Sequence, residues 1–211
     1  MKAHIFDLDG TLLDSMGVWE NIDQVCLEKR GIKLPGSYDY DSYVEAITPL
    51  TPLESAVYAI NYFGLKGTPE ELKQEWNEMA EHAYSNHIPL KPGAKEYLQN
   101  LRDQQVRMAV ATSSPLSLCV PALQNHGITD LFDAICTSEE VGCGKNRPDV
   151  YLLAAKRLGV EPQDCIVYED SLTALKTAKS IGMTVYAVYD SASEKNWEEM
   201  KRLADYIVES F

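Results

Sequence analysis

Two carboxylates stand two residues apart near the start of the chain, directly after a short apolar run. Residues 3–6 form that run, and Asp7, Asp9 and Gly10 follow it. Side chains two apart in a chain leaving a strand can face the same side, and the glycine lets the backbone turn away at once. Such a pair can supply a nucleophile, a general acid and base, or oxygen ligands for a cation.

Further polar groups follow other predicted strands. Thr112, Ser113 and Ser114 come after a strand predicted at 106–111, and Glu169 and Asp170 come after one predicted at 165–168. In an open parallel sheet the carboxyl ends of the strands share one edge, where ligands bind. We therefore expect these side chains to meet the two N-terminal aspartates at that edge.

The residue types at this edge point to magnesium and a phosphoryl group. Four converging carboxylates would repel one another without a cation, and hard oxygen ligands without a His or Cys cluster favour Mg²⁺ over Zn²⁺. Lys145 lies in a glycine-containing loop just before a helix and can swing toward the same edge. Its ammonium and the Thr112 hydroxyl form a cradle for a transferring phosphoryl group. One aspartate can then form an aspartyl phosphate, while the other protonates the leaving oxygen and later activates water.

The elements that must position these groups alternate along the chain. The hydrophobic pattern predicts strands and helices in turn, which indicates a Rossmann-like α/β fold with a parallel sheet. The strands are predicted at 3–6, 106–111, 134–136, 165–168, 184–188 and 206–208, and the helices between them at 93–103, 116–126, 148–158 and 172–181.

A helical insert interrupts this alternation after the first strand. Residues 16–30, 52–63 and 68–86 have helical patterns, and residues 34–51 are predicted to be a loop with at most a short helical turn. We therefore predict a discontinuous catalytic core, residues 1–14 plus 89–211, with an all-helical cap domain at 15–88.

In these residues the chain resembles the haloacid dehalogenase superfamily of phosphotransferases. Thr112 and Lys145 match the second and third motifs of that superfamily, and they stand in the right order. The position of the insert resembles the β-phosphoglucomutase-like branch with a helical cap. The first and fourth motifs correspond to Asp7-Leu8-Asp9-Gly10-Thr11-Leu12-Leu13-Asp14-Ser15 and Glu169-Asp170-Ser171.

The resemblance implies a role for each matched residue. Asp7 is implied as the nucleophile and Asp9 as the acid and base. Thr112, the Ser113 backbone and Lys145 are implied to hold the phosphoryl group. The implied ligands of Mg²⁺ are Asp7, the backbone carbonyl of Asp9, Asp170, and Glu169 directly or through water.

Two positions depart from the superfamily pattern. The third motif often reads Lys-Pro-x-Pro-Asp, and here Asn146 replaces the first proline, which puts the stiffness of the loop around Lys145 in question. Ala174 stands where the fourth motif usually has glycine. One extra methyl group there could shift the approach to the active-site loops.

The cations of the cap distinguish a phosphatase from a mutase, because a mutase must bind a phosphate at both ends of a bisphosphate. The similar mutases carry a His where Trp19 stands and a Lys where Pro115 stands. No Lys or Arg occurs at 34–65 or 74–90, which leaves Lys66 and Lys73 as exceptions. We expect hydrolysis of a small phosphomonoester, a sugar phosphate or similar metabolite; the alternative is a β-phosphoglucomutase-like sugar phosphomutase.

Substrate selection is expected from cap residues that face the core. The candidates are Trp19, Glu20, Asp23 and the loop at 48–51.

Two other classes of function stay open. One is a binding module with a structural Mg²⁺; the other is a haloacid dehalogenase, which needs Asp7 but has no use for the other acids.

Composition limits the partners. The 211 residues carry 19 Lys and Arg against 32 Asp and Glu, a net charge of −13, which disfavours nucleic acid and anionic lipid. No apolar run approaches the roughly 18 residues of a membrane span, and an acid stands too early for a secretory signal. The five cysteines form no C-x-x-C pair. We expect a cytoplasmic monomer with free thiols that acts on a small phosphorylated metabolite.

Overall fold

A six-stranded parallel sheet forms the centre of the computed structural model, which describes residues 2–33, 38–86 and 88–211. All five strand pairs are parallel, and the spatial order is β3-β2-β1-β4-β5-β6. The predicted Rossmann-like α/β fold is thereby confirmed. The strands are β1 (Ala3–Phe6), β2 (Met108–Thr112), β3 (Ala134–Thr137), β4 (Cys165–Glu169), β5 (Thr184–Val188) and β6 (Tyr206–Val208).

Ten α-helices accompany the sheet in the described part of the chain. Four of them lie between β1 and β2 in the segment 15–88, and a fifth precedes β2. The helices are α1 (Met16–Glu28), α2 (Tyr40–Ile47), α3 (Pro52–Phe63), α4 (Pro69–Asn86), α5 (Ala94–Asp103), α6 (Leu116–Asn125), α7 (Ser138–Val141), α8 (Asp149–Leu158), α9 (Leu172–Ser180) and α10 (Trp197–Leu203).

Both faces of the sheet are buried, as parallel sheets require. Alternate residues of β1 point to opposite faces: Ile5 packs into a cluster with residues of α8 and α9, and Phe6 packs into a second cluster with residues of α5 and α6. This second cluster continues into the helices of the segment 15–88 through residues such as Trp76 and Tyr84. The segment therefore shares apolar burial with one face of the sheet.

The segment leaves and rejoins the sheet region at neighbouring points. The Asp14 N–H donates to the Pro89 carbonyl at 3.0 Å, and the Lys91 N–H donates to the Leu12 carbonyl at 2.8 Å. Helix α4 begins at Pro69, where the Thr68–Glu71 pair exchanges the two hydrogen bonds of a capping box.

The loop prediction for 34–51 is wrong over part of its length. Helix α2 occupies 40–47, and its N-cap Asp39 accepts a hydrogen bond from the Ser42 N–H at 3.1 Å. Tyrosines lowered the helical signal here, but their rings pack on one another, and Tyr43 is buried against Phe63. Tertiary packing therefore overrides the local preference. Residues 34–37 of that prediction lie outside the described residues.

Other differences are small. Strand β2 runs from Met108 to Thr112 rather than over 106–111, and the short helices α7 and α10 were not predicted. The five cysteines are all free and buried. Among the described residues there is no helix long and apolar enough to cross a membrane.

Candidate active site

The candidate site lies where the strand order reverses. The chain proceeds from β1 to β2 and β3 on one side and then crosses to β4 on the other side of β1. The crevice between the carboxyl ends of β1 and β4 is therefore the topological switch point, where ligands of such sheets bind. Asp7 follows β1 there, and its N–H donates to the Tyr168 carbonyl of β4 at 3.0 Å.

Three buried carboxylates converge in this crevice. Asp7, Glu169 and Asp170 each offer an oxygen, and these oxygens lie within 4.8 Å of one another. Gly10 makes room for this arrangement, because its φ of +79° favours glycine and a Cβ there would lie 2.8 Å from the Asp170 Cγ. Thr11 fixes Asp170 through a 3.1 Å hydrogen bond from its hydroxyl to Oδ1.

Lys145 joins the cluster from the loop before α8. Its ammonium donates to Asp7 Oδ1 and, at 2.6 Å, to Glu169 Oε1, and it is 4% exposed. The Tyr151 hydroxyl on α8 donates to the same Glu169 oxygen at 2.6 Å. Although burial alone would lower the pKa of Lys145, the charges of Asp7 and Glu169 raise it above its ordinary value. Lys145 is therefore positively charged.

The carboxylates of the cluster have perturbed pKa values. Burial, followed by the charge of Glu169, raises the pKa of Asp7 to about 7. Burial, followed by the charges of Asp7 and Glu169, raises the pKa of Asp170 well above its ordinary range. Both carboxylates are therefore hard to ionise here without a compensating cation, chiefly because they are buried and secondly because they lie near other negative charges.

The donor set fits Mg²⁺. Three carboxylates and one ammonium leave two uncompensated negative charges when all are ionised, which one divalent cation balances. All the convergent ligands are oxygens, as hard cations prefer. Asp7, Glu169 and Asp170 are the residues that would hold the ion.

The Asp9 carboxylate lies in a separate hydrogen-bond network. Its Oδ1 accepts from the Ser15 hydroxyl at 2.7 Å and from the Tyr84 hydroxyl, and its Oδ2 accepts from the Ser114 hydroxyl at 2.6 Å. The Trp19 indole N–H donates to the Tyr84 oxygen at 2.8 Å. Asp9 lines the same cavity as Asp7, but its side chain is not among the convergent carboxylates.

The hydroxyl residues at the carboxyl end of β2 also reach the cavity. Thr112 is the buried last residue of that strand, and its oxygen accepts from the Ser114 N–H at 3.0 Å. Ser113 lines the cavity beside it, with its hydroxyl 3.4 Å from that of Ser138. The site residues predicted from the core motifs, Asp7, Asp9, Thr112, Ser113, Lys145, Glu169 and Asp170, therefore all lie at one cavity.

The cavity has a volume of about 670 Å³ and extends from the carboxylate cluster to the helical segment. Trp19, Glu20 and Asp23 of α1 line it, as expected for candidates in substrate selection. Asp23 is buried and accepts from the Tyr40 hydroxyl at 3.1 Å. Burial raises the pKa of Asp23 to about 7, although the hydrogen bond from Tyr40 opposes the rise.

The loop at 48–51 closes tightly on the core. A Cβ on Gly144 would lie 2.7 Å from the Leu50 Cα, so this contact requires glycine. The Asn146 N–H donates to the Pro49 carbonyl at 3.4 Å, a bond that the proline usual at this position could not make. The departure from the superfamily motif therefore leaves Lys145 in place and adds a contact between the two parts of the chain.

Two lysines at the cavity form ion pairs between the helical segment 15–88 and the rest of the chain. Lys73 of α4 donates to Glu139. Lys195 lies in a short 3-10 helix before α10, and its Nζ is 3.2 Å from Oε2 of Glu45 in α2. Lys195 was not predicted, because nothing in its local sequence marks it as facing the insert. Tyr84 and Tyr151 were also missed: each hydroxyl donates to a carboxylate of the cavity, Asp9 or Glu169, without belonging to a motif.

Arg147 and the tyrosines near the start of the helical segment differ in whether they reach the cavity. Arg147 is exposed, lies 3.4 Å from Asp149 and does not line the cavity. Tyr38 and Tyr43 pack inside the helical segment, whereas Tyr40 reaches the cavity edge.

Comparison with known proteins gives the family. The model of the haloacid dehalogenase-like hydrolases matches residues 1–182. The chain belongs to this family, as the sequence motifs predict. The chain is similar to the phosphorylated carbohydrates phosphatase of Thermotoga maritima, with 28% identity over 92% of this chain and 88% of that protein.

Two further similarities agree. Hexitol phosphatase B of Escherichia coli is 27% identical over 86% of this chain and 80% of that protein. The solved structure of β-phosphoglucomutase from Clostridium difficile superposes with a TM-score of 0.82 at 22% identity, over 100% of this chain and 91% of that chain, and shows the shared fold. The prediction of an enzyme, a phosphomonoester hydrolase of this family, is confirmed by the family match and by these named phosphatases.

Proposed function

We propose that this chain is a Mg²⁺-dependent phosphatase that hydrolyses a small phosphomonoester through an aspartyl phosphate on Asp7. The observation that carries the proposal is the cluster of Asp7, Glu169 and Asp170 around Lys145, at the end of the cavity that extends to the helical segment. Burying several carboxylates together costs free energy of folding, and such clusters are typical of sites that bind a cation or carry out catalysis.

Asp7 is the proposed nucleophile. Its carboxylate attacks phosphorus, a bond from Asp7 oxygen to phosphorus forms, and the bond from phosphorus to the leaving oxygen breaks. Asp9 donates a proton to that leaving oxygen. In the second step Asp9 takes a proton from water, which attacks phosphorus and releases phosphate from Asp7.

The remaining residues hold charge in place. Bound Mg²⁺ would offset the negative charge of the carboxylates and of the phosphoryl oxygens, which keeps Asp7 ionised near neutral pH. Lys145, already fixed by Asp7 and Glu169, offers its remaining donor capacity to the phosphoryl group. Thr112 and the Ser113 backbone supply neutral donors on the opposite side.

The charges around the cavity favour a phosphatase over a mutase. The helical segment contributes the acids Glu20, Asp23, Asp41 and Glu45 to the lining. The cations at the lining on this side, Lys73 and Lys195 among the described residues, are already paired with Glu139 and Glu45. A second phosphate would meet uncompensated negative charge there, whereas a neutral polyhydroxylated leaving group would find acceptors.

We further infer that residues 15–88 act as a cap domain over a core of residues 1–14 and 89–211. Trp19, Glu20 and Asp23 then contact the leaving group. Two of the similar proteins are named as a phosphorylated carbohydrates phosphatase and a hexitol phosphatase. Sugar or sugar-alcohol phosphates are therefore the substrate class we propose, for a monomeric cytoplasmic enzyme.

Phosphate release from a panel of about a hundred phosphorylated metabolites and p-nitrophenyl phosphate tests this proposal. We expect Mg²⁺-dependent turnover that EDTA removes and that Asp7→Asn abolishes. Asp14→Asn, which changes an exposed carboxylate outside the cavity, is the matched control. Wild-type activity in Asp7→Asn would refute the nucleophile, and halide release from a 2-haloacid in EDTA would favour a dehalogenase.

The mutase alternative needs its own assay. We expect no sustained conversion of β-glucose 1-phosphate to glucose 6-phosphate, even with a bisphosphate primer. Steady isomerisation in a coupled assay would replace the proposed hydrolysis with mutase chemistry.

A further inference from the structure

A tyrosine from the helical segment reaches the carboxylate proposed as acid and base. Tyr84 stands near the end of α4, 75 positions from Asp9 in the sequence, and its side chain is fully buried. Its hydroxyl donates to Asp9 Oδ1 and accepts from the Trp19 indole N–H at 2.8 Å. A contact of this kind joins the insert directly to the reacting end of the sheet.

The hydrogen bonds to Asp9 leave little freedom for its carboxylate. An ionised carboxylate has about four acceptor positions. Ser15 and Tyr84 occupy two on Oδ1, and Ser114 occupies one on Oδ2. The remaining position is therefore on Oδ2, where the transferable proton and the leaving oxygen of a substrate would have to meet.

We propose that Tyr84 is a positioning residue that acts through Asp9. By fixing Oδ1, it directs the free position of Oδ2 toward the leaving oxygen, and it makes proton transfer depend on the seating of α4 against the core. Trp19 orients the Tyr84 hydroxyl in turn. This inference rests on the proposed function, because it assigns Asp9 the proton transfer of a phosphatase.

The proposal has a consequence that a purely structural role lacks. When the bond from phosphorus to an alkyl leaving oxygen breaks, the alkoxide must receive the Asp9 proton. The p-nitrophenolate ion leaves as a stable anion and needs no proton in that step. Loss of the correct orientation of Asp9 should therefore lower kcat/KM for alkyl substrates far more than for p-nitrophenyl phosphate. Damage to the fold would lower both values equally.

The test is Tyr84→Phe, which removes the hydroxyl and keeps the ring. Its kcat/KM is measured for p-nitrophenyl phosphate and for the alkyl phosphomonoester that the wild-type enzyme hydrolyses best in the panel. We expect a loss of about 10- to 100-fold for the alkyl ester and of less than about threefold for the aryl ester. The alkyl KM should change little.

Tyr43→Phe is the matched control. Tyr43 is another fully buried tyrosine of the segment, and its hydroxyl has no hydrogen-bond partner among the described residues. Its removal should leave both rates at the wild-type level. Ser114→Ala, which frees Asp9 Oδ2 instead, should reproduce the selective loss of alkyl turnover even if Tyr84→Phe folds poorly.

Equal losses for the two substrates, or faster alkyl turnover, in a folded Tyr84→Phe would overturn the proposal. Selective loss in Tyr43→Phe would overturn it as well. A wild-type enzyme that hydrolyses neither substrate would instead refute the proposed function, so the two failures are distinguishable.

Discussion

Replacing Asp7 with Asn should stabilise the metal-free protein at the same time as it abolishes activity. The isosteric amide keeps an oxygen that can accept from Lys145, and it removes one of three buried negative charges. Lys145 retains its bond to Glu169. The variant therefore loses repulsion without leaving an unpaired cation.

The size and the pH dependence of the gain follow from the pKa of Asp7. That pKa rises from 3.8 to about 7 on folding, chiefly because of burial and then the charge of Glu169. At about 1.4 kcal/mol per pKa unit, the ionised carboxylate costs the fold about 4 kcal/mol. Because the folded pKa lies above the unfolded one, this penalty is complete above pH 7 and disappears as the pH falls toward 4.

Urea denaturation in EDTA at pH 8 and at pH 4 measures this difference. We expect Asp7→Asn to exceed the wild type by about 2–4 kcal/mol at pH 8 and to match it at pH 4. Asp14→Asn, the exposed control, should stay within about 0.5 kcal/mol at both values. A destabilised Asp7→Asn at pH 8, or a gain independent of pH, would refute the reasoning that buried repulsion dominates this site.

Three further changes test other parts of the site. Gly144→Ala should displace the loop at Leu50, lower kcat/KM about tenfold and cost about 1–3 kcal/mol in urea, whereas Gly17→Ala, with nothing within 4 Å of its Cβ, should cost nothing. Lys145→Met leaves its carboxylates uncompensated and should cost about 3–5 kcal/mol in EDTA at pH 8. Asp23→Asn should raise stability at pH 8 but not at pH 4, because burial raises the pKa of that carboxyl to about 7, and should alter the substrate ranking in the panel.

The edge of the sheet where the strands end could be predicted from the sequence, because the apolar pattern of each strand is visible in its own residues. Short runs of three to six mainly apolar residues between helical patterns define the strands, and parallel pairing brings all their carboxyl ends together. The meeting of Asp7, Glu169 and Asp170 follows from that geometry, without knowledge of any long-range contact. The motif residues of the core could therefore be placed from the sequence.

The contacts across the boundary with the insert could not be placed in this way. Tyr84 and Lys195 reach the site only because of how the helical segment packs on the core, and a single tyrosine or lysine carries no sign of this in its neighbours. Helix α2 was missed for a related reason: its aromatic side chains gain more from packing on one another than they lose in helix propensity.

The loop around Lys145 shows how these two kinds of information combine. The superfamily motif often has a proline where this chain has Asn146, and a proline there would stiffen the loop. In the structure the Asn146 N–H, which a proline would lack, donates to the Pro49 carbonyl, beside the close approach of Gly144 to Leu50. A contact with a neighbouring segment thus restrains the loop at the position where a proline would stiffen it, while Asp7 and Glu169 hold the Lys145 ammonium itself. On this reasoning, displacement of the 48–51 loop removes a restraint from the loop that carries Lys145, so the organisation of the site depends in part on the contact between these two loops.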